Sequence, residues 1–238
     1  MITSKLIEYA QDGEGHQGLL VFDHARKGAA PTVLVLHGWE GRSEGQDKVC
    51  RMLADLGYAA FAVDLYGKGR TGSTPEECQA LMTPLIGDRA KLRRRLLDTV
   101  ETVGGRTEVD ATRMAAIGFC FGGLCALDLA RAGAPLKGVV SFHGLFTPPG
   151  LPTVTPIAPK VIAFHGWDDP MAKPDDVVAL GRELTEAGAD WQLHAFGGTM
   201  HAFMVEGANL PDMGILYNAR SAGRAWEGMG RFLADALG

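Results

Sequence analysis

The stretch Met114-Ala-Ala-Ile-Gly-Phe-Cys-Phe-Gly-Gly123 decides how the rest of this chain is read. Met114–Phe119 has the apolar character of a buried strand, and Gly122–Ala132 has the character of a helix. Between them, Gly118-Phe-Cys-Phe-Gly122 sets a thiol in the pattern Gly-x-nucleophile-x-Gly. A strand that turns at once into a helix through this pattern holds its central residue in a strained backbone conformation. Bulk at the flanking glycines would collide with the adjoining strand and helix. The helix that follows places unpaired backbone N–H groups and the positive end of its dipole beside the sulfur of Cys120. Cys120 is therefore the candidate nucleophile. Cys50, Cys78 and Cys125 lie in or beside helical stretches without such a setting and read as packing residues.

Working outward, short β-rich runs alternate with longer helical ones, which predicts an α/β fold with a mostly parallel central sheet and helices on both faces. Ser4–Tyr9 and Gly18–Val21 form a hairpin through Gln11-Asp-Gly-Glu-Gly15. Thr32–Leu36, Ala59–Val63, Val139–Phe142, Val161–Phe164 and Trp191–Phe196 are the other strands. Gln46–Leu56, Pro75–Met82, Asp88–Val103, Pro174–Ala187 and Asn218–Ala236 are the other helices. The segment Asp64–Ser73 reads as an exposed glycine-rich loop. No repeat or linker divides the chain, so residues 1–238 are expected to form a single domain.

Composition narrows the class. With 46% hydrophobic and 21% charged residues the chain is an ordinary folded protein, and its net charge of −5 argues against nucleic acid and anionic membrane as partners. Lys91, Arg93, Arg94 and Arg95 are expected on the outer face of a helix. The N-terminus lacks the apolar core of a secretory signal, and no stretch approaches a membrane span. Four cysteines without a Cys-x-x-Cys pair support neither zinc nor dithiol chemistry. A cytoplasmic protein with reduced thiols is expected.

A nucleophile on such a turn needs a base, and the base an orienting acid, in the chain order nucleophile, acid, histidine. Of the downstream histidines, His143 and His165 end buried strands and read as packed, hydrogen-bonded residues. His194 lies within a strand, whereas His201 occupies the loop Gly197-Gly-Thr-Met-His-Ala-Phe203 after the last strand. His201 is the expected base. In His165-Gly-Trp-Asp-Asp-Pro170 two aspartates compete. Asp169 fits Gly-x-x-Asp counted from Gly166 and is the expected acid, while Asp168 suits a cap of the turn. The backbone N–H of Phe121 and that of Trp39, in His37-Gly-Trp-Glu-Gly41, are the expected oxyanion donors.

With these residues assembled, the chain resembles the dienelactone hydrolase family, a cysteine branch of the α/β-hydrolases. The resemblance spans nearly the whole chain. It is carried by Asp64-Leu-Tyr-Gly67, Gly118-Phe-Cys-Phe-Gly-Gly123, the Asp169 loop, Met200-His-Ala-Phe203, Ala208-Asn209 and Tyr217-Asn218. It implies an α/β-hydrolase fold, no cofactor, a small ester or lactone substrate, and a monomer or weak homodimer. Two departures stand out. Typical members carry a glutamate directly before the second oxyanion donor, where this chain has Gly38, with Glu40 and Glu44 the nearest acids. Dienelactone-cleaving members also clamp a carboxylate with two arginines. Here Lys68 and Arg70 occupy one region, and Val205 and Glu206 the other.

The expected activity is cysteine-dependent cleavage of activated esters or lactones through a thioester acyl-enzyme. The alternatives are a general carboxylesterase or thioesterase, and a non-catalytic ligand-binding protein on the same scaffold.

Overall fold

In the computed structural model, which describes residues 1–238, Asp12 and Gly13 take φ of 50° and 75° in a tight two-residue turn. The turn joins β1 (Ile2–Gln11) to β2 (Glu14–Asp23), both longer than expected. The added length is mostly polar: Thr3, Gln11, Glu14 and Gln17 all pair in the β1–β2 ladder without adding to an apolar run.

The sheet continues with β3 (Ala30–Leu36), β4 (Ala59–Ala62), β5 (Val109–Phe119), β6 (Gly138–Phe142), β7 (Lys160–Gly166) and β8 (Trp191–Phe196). Its eight strands run β1-β2-β4-β3-β5-β6-β7-β8. β1 pairs antiparallel with β2 and β2 with β4, and every other pairing is parallel. Alternate side chains of each central strand enter opposite layers, as the pleat requires. Leu34, Leu36 and Ala116 join one cluster with residues of α2 (Pro75–Gly87), α3 (Arg89–Gly104), α4 (Phe121–Arg131) and α5 (Pro174–Glu186). Val33, Val35 and Ile117 join the other with α1 (Glu44–Asp55) and α6 (Ala219–Leu237). This is an α/β-hydrolase architecture.

Several local expectations need correction. Asp64–Gly67 is buried, and only the later part of that loop is exposed, because the Asp64 carboxylate draws the chain around itself. Arg95 is buried and does not decorate a surface: its guanidinium donates to the Leu65 carbonyl and to Glu14. α2 runs past Met82 to Gly87 with Pro84 inside it. It is held at its start by a Thr74–Glu77 capping box, and it stops only where Asp88 caps α3. A two-stranded ribbon, β9 (Asn209–Leu210) with β10 (Ile215–Leu216), escapes sequence reading because each strand has two residues. No helix is long and apolar enough to cross a membrane.

Candidate active site

Cys120 stands between β5 and α4 with φ 55° and ψ −115°, a backbone conformation that side chains rarely adopt. The flanking glycines are required by contact. A Cβ on Gly118 would lie 1.9 Å from the Gly122 carbonyl oxygen, and one on Gly122 would lie 2.3 Å from that of Leu36. The Cys120 N–H donates to Phe142 O at 3.1 Å, which ties the turn to β6. Cys120 is partly exposed, whereas Cys50, Cys78 and Cys125 are buried free thiols.

His201 and Asp169 meet at the same rim of the sheet. The His201 Nδ1–H donates to Asp169 Oδ2 at 2.7 Å, and both side chains are almost wholly buried. Asp169 Oδ1 accepts from the Met171 N–H at 2.8 Å, so the two carboxylate oxygens have separate tasks. Asp168 is exposed and takes no part in this contact. The backbone of His201 is held from both sides by the ribbon, with its N–H on Gly214 O and its C=O accepting from Leu216 N–H. The following Ala202 has φ 57°, a second strained residue at the site.

The Nε2 of His201 makes no regular hydrogen bond, yet the Cys120 sulfur is near enough to act on the charge of the ring. Burial alone would lower the His201 pKa. The Asp169 hydrogen bond, the neighbouring Cys120 sulfur and the Asp169 charge outweigh burial and push it up to about 10.

The His37–Gly41 segment lies against the first turn of α4, as the close approach of Gly122 to Leu36 and His37 requires. Neither the Trp39 N–H nor the Phe121 N–H has a hydrogen-bond partner within the protein. Both donors remain open. Two buried side chains hold the segment: His37 bonds to Gly38 O and accepts from Leu65 N–H, and the Tyr66 hydroxyl donates to Trp39 O at 2.9 Å. Asp64 fixes the other end of this assembly by accepting from the N–H groups of Gln17, Tyr66, Gly67 and Gly69. Of these residues, sequence reasoning had the motif Asp64-Leu-Tyr-Gly67 but no role for it.

The other named residues divide. Glu40 folds back so that Oε2 lies 2.5 Å from where a Cβ on Gly38 would sit, and its Oε1 accepts from Gln46 Nε2. Arg70 turns its guanidinium onto the carbonyls of Tyr66 and Gly67 within its own loop. Arg42, a further cation close in sequence to Trp39, is engaged with Asp47 and Gln17 O. Lys68 is exposed, with φ 52°. His194 is exposed on the edge strand β8. His143 and His165 are packed as expected, but neither ring nitrogen of either one has a hydrogen-bond partner, which corrects the expectation of bonded residues. Burial, with the nearby His201 adding to it, holds the His143 pKa well below the ordinary range, and the two rings meet edge-on at 5.0 Å.

No group of three or more His, Cys, Asp or Glu side chains is placed to hold a metal ion. Two surface hollows follow α5, one lined by residues from Thr153 to Ala187 and one from Val177 to Leu193. Neither touches Cys120.

Known proteins resemble this chain in sequence and in fold. The sequence profile of the dienelactone hydrolase family matches residues 18–237. A protein of Aquifex aeolicus (strain VF5) named "Putative carboxymethylenebutenolidase" is 28% identical over 230 residues, 94% of each chain. The solved structure named "m3DLH" superposes with a TM-score of 0.93 at 34% identity, covering 100% of this chain and 99% of that one. The dienelactone hydrolase-like promiscuous phosphotriesterase P91, from metagenomic libraries, superposes at 0.91 with 31% identity and the same coverage. With its profile matched from the second strand to the last helix, this chain belongs to the dienelactone hydrolase family.

Proposed function

We propose that this chain is a cysteine hydrolase that cleaves activated esters and lactones through a thioester on Cys120. The observation that carries the reading is the buried 2.7 Å contact of His201 with Asp169, at the rim where the strained Cys120 turn presents its sulfur. His201, charged by virtue of its raised pKa, pairs with the Cys120 thiolate. The sulfur attacks the carbonyl carbon, and the N–H groups of Phe121 and Trp39 receive the oxyanion. As the tetrahedral adduct collapses, the leaving oxygen departs with the proton from His201. Neutral His201 then takes a proton from water, whose oxygen attacks the thioester and expels the thiolate.

The leaving group sets the substrate class. A thiol with an ordinary pKa of ~8.5 leaves more easily than an alkoxide, so an adduct with a plain alkyl ester reverts. Enolate and phenolate leaving groups compete better. No arginine fork is free near the site, since Arg70 and Arg42 are already engaged, and Lys68 supplies a point charge without bidentate geometry. The substrate is therefore a small activated ester or lactone without a strict need for a carboxylate. Glu40 takes the place of the family glutamate, its carboxylate reaching the spot from which a side chain at position 38 would extend.

The test is a substrate panel with wild type, C120A and C125A. Rapid turnover of p-nitrophenyl butyrate, slow turnover of ethyl butyrate, loss of both in C120A and retention in C125A are expected. Equal rates on the two esters, or an active C120A, would overturn the reading.

A second reading has support in P91, a phosphotriesterase by name at 31% identity. The same thiolate would attack a phosphotriester, forming an S–P bond as an aryloxide leaves. Paraoxon in the same panel decides whether this chain shares that activity.

A further inference from the structure

We infer that His37 is a positioning residue for the oxyanion site, acting through the single peptide unit that joins Gly38 to Trp39. This rests on the proposed role of the Trp39 N–H.

The tautomer of His37 is fixed by its two partners. The Leu65 N–H donates to Nε2 at 3.1 Å, so that nitrogen carries no proton. Nδ1 therefore carries it and donates to the Gly38 carbonyl at 2.6 Å. A carbonyl can only accept, and no other assignment satisfies both contacts. Complete burial lowers the pKa of the ring and keeps it neutral, as acceptance at Nε2 requires.

The consequence lies in covalent geometry. The C=O of Gly38 and the N–H of Trp39 belong to one planar trans peptide and point in opposite directions. Pinning the oxygen on the His37 side aims the N–H the other way. A hydrogen bond accepted by that oxygen also polarises the amide and makes its N–H a stronger donor, as in other hydrogen-bonded chains. The next peptide is pinned as well, because Tyr66 donates to Trp39 O. The rings of His37 and Tyr66 pack at 4.7 Å, and Tyr66 stacks on Phe121 at 6.2 Å, so the same group of rings underlies both proposed donors. Gly41 N–H gives Gly38 O only a long second contact of 3.4 Å. His37 is the principal support of that carbonyl.

The test compares H37F and H37N with wild type on p-nitrophenyl butyrate, together with iodoacetamide alkylation of Cys120. Alkylation at carbon forms no oxyanion, so it reports thiolate and imidazole without the Trp39 N–H. H37F keeps ring packing and loses both hydrogen bonds; H37N places an amide N–H near the position of Nδ1–H.

H37F is expected to lower kcat by ~10–100-fold, as for a donor that is misaimed and weakened but still present, with KM within twofold. H37N should recover at least threefold of that, and alkylation of Cys120 should stay within twofold in both. An unchanged kcat, or alkylation falling in step with kcat, would overturn the inference. If H37F does not fold, H37N alone must show reduced kcat with intact alkylation, and an unaffected kcat there overturns it equally. Full ester turnover by wild-type enzyme alkylated at Cys120 would refute the underlying nucleophile reading instead.

Discussion

Asp169→Asn isolates the buried contact on which the proposed acid–base chemistry depends. In the native protein Oδ1 serves Met171 N–H and Oδ2 serves the His201 Nδ1–H. An amide has one oxygen for these two donors. If that oxygen stays on Met171, the NH2 group faces Nδ1 and drives the imidazole proton to Nε2, the side meant for the sulfur. The hydrogen bond to Asp169 is the foremost influence raising His201 to about 10 against the opposing effect of burial, and the Asp169 charge adds to it. Losing both should lower that pKa, because burial then acts against fewer opposing influences. With the ion pair weakened and the tautomer inverted, kcat should fall by ~10²–10⁴-fold. The assay is twofold: kcat on p-nitrophenyl butyrate, and the pH profile of iodoacetamide alkylation at Cys120. In the variant the high-pH limb of that profile should move toward neutrality. A kcat reduced less than threefold with an unmoved profile would refute this reasoning.

Two further outcomes follow from the same structure. Gly118→Ala would set a methyl 1.9 Å from the Gly122 carbonyl oxygen, so backbone must move. Urea unfolding should show a loss of ~3 kcal/mol or more, or no folded protein, and a near-native midpoint would count against the turn as described. Stability should also respond to pH through His201. Its pKa is raised from the ordinary 6.5 to about 10 in the folded protein, so the contribution is complete below about pH 6.5 and lost as pH rises toward 10. The slope should approach ~1.4 kcal/mol per pH unit in that window, and in C120A the window should shrink from its alkaline end. Identical alkaline stability curves for wild type and C120A would contradict the coupling of sulfur and ring.

Much of the fold is legible because its strongest signals are local. Thr32–Leu36 and Met114–Phe119 are continuous apolar runs, and both are central parallel strands with side chains in both layers. The Cys120 turn is equally visible, since its glycines answer contacts within a few residues or with the adjacent strand. The chain order of Cys120, Asp169 and His201 places them at one end of the sheet because parallel strands share their carboxyl edge, and the Asp169–His201 contact is found there. What sequence hides is support that comes from afar. Asp64 reads as a loop residue, yet it gathers N–H groups from two segments and buries the loop that carries Tyr66. Arg95 reads as one of a basic run, but helical periodicity turns it inward while Arg94 faces out. The Asn209–Leu216 ribbon has too few residues per strand to show alternation, although it holds the backbone of His201.

The atom that takes the acyl group is the sulfur of Cys120 in the proposed reaction. Wild-type protein mixed with p-nitrophenyl butyrate and quenched in acid within the first turnover should carry one butyryl group, found by peptide mass spectrometry on the peptide containing Cys120 and absent in C120A. Acylation of a different residue, or full turnover with Cys120 never modified, would rule out Cys120 as the nucleophile.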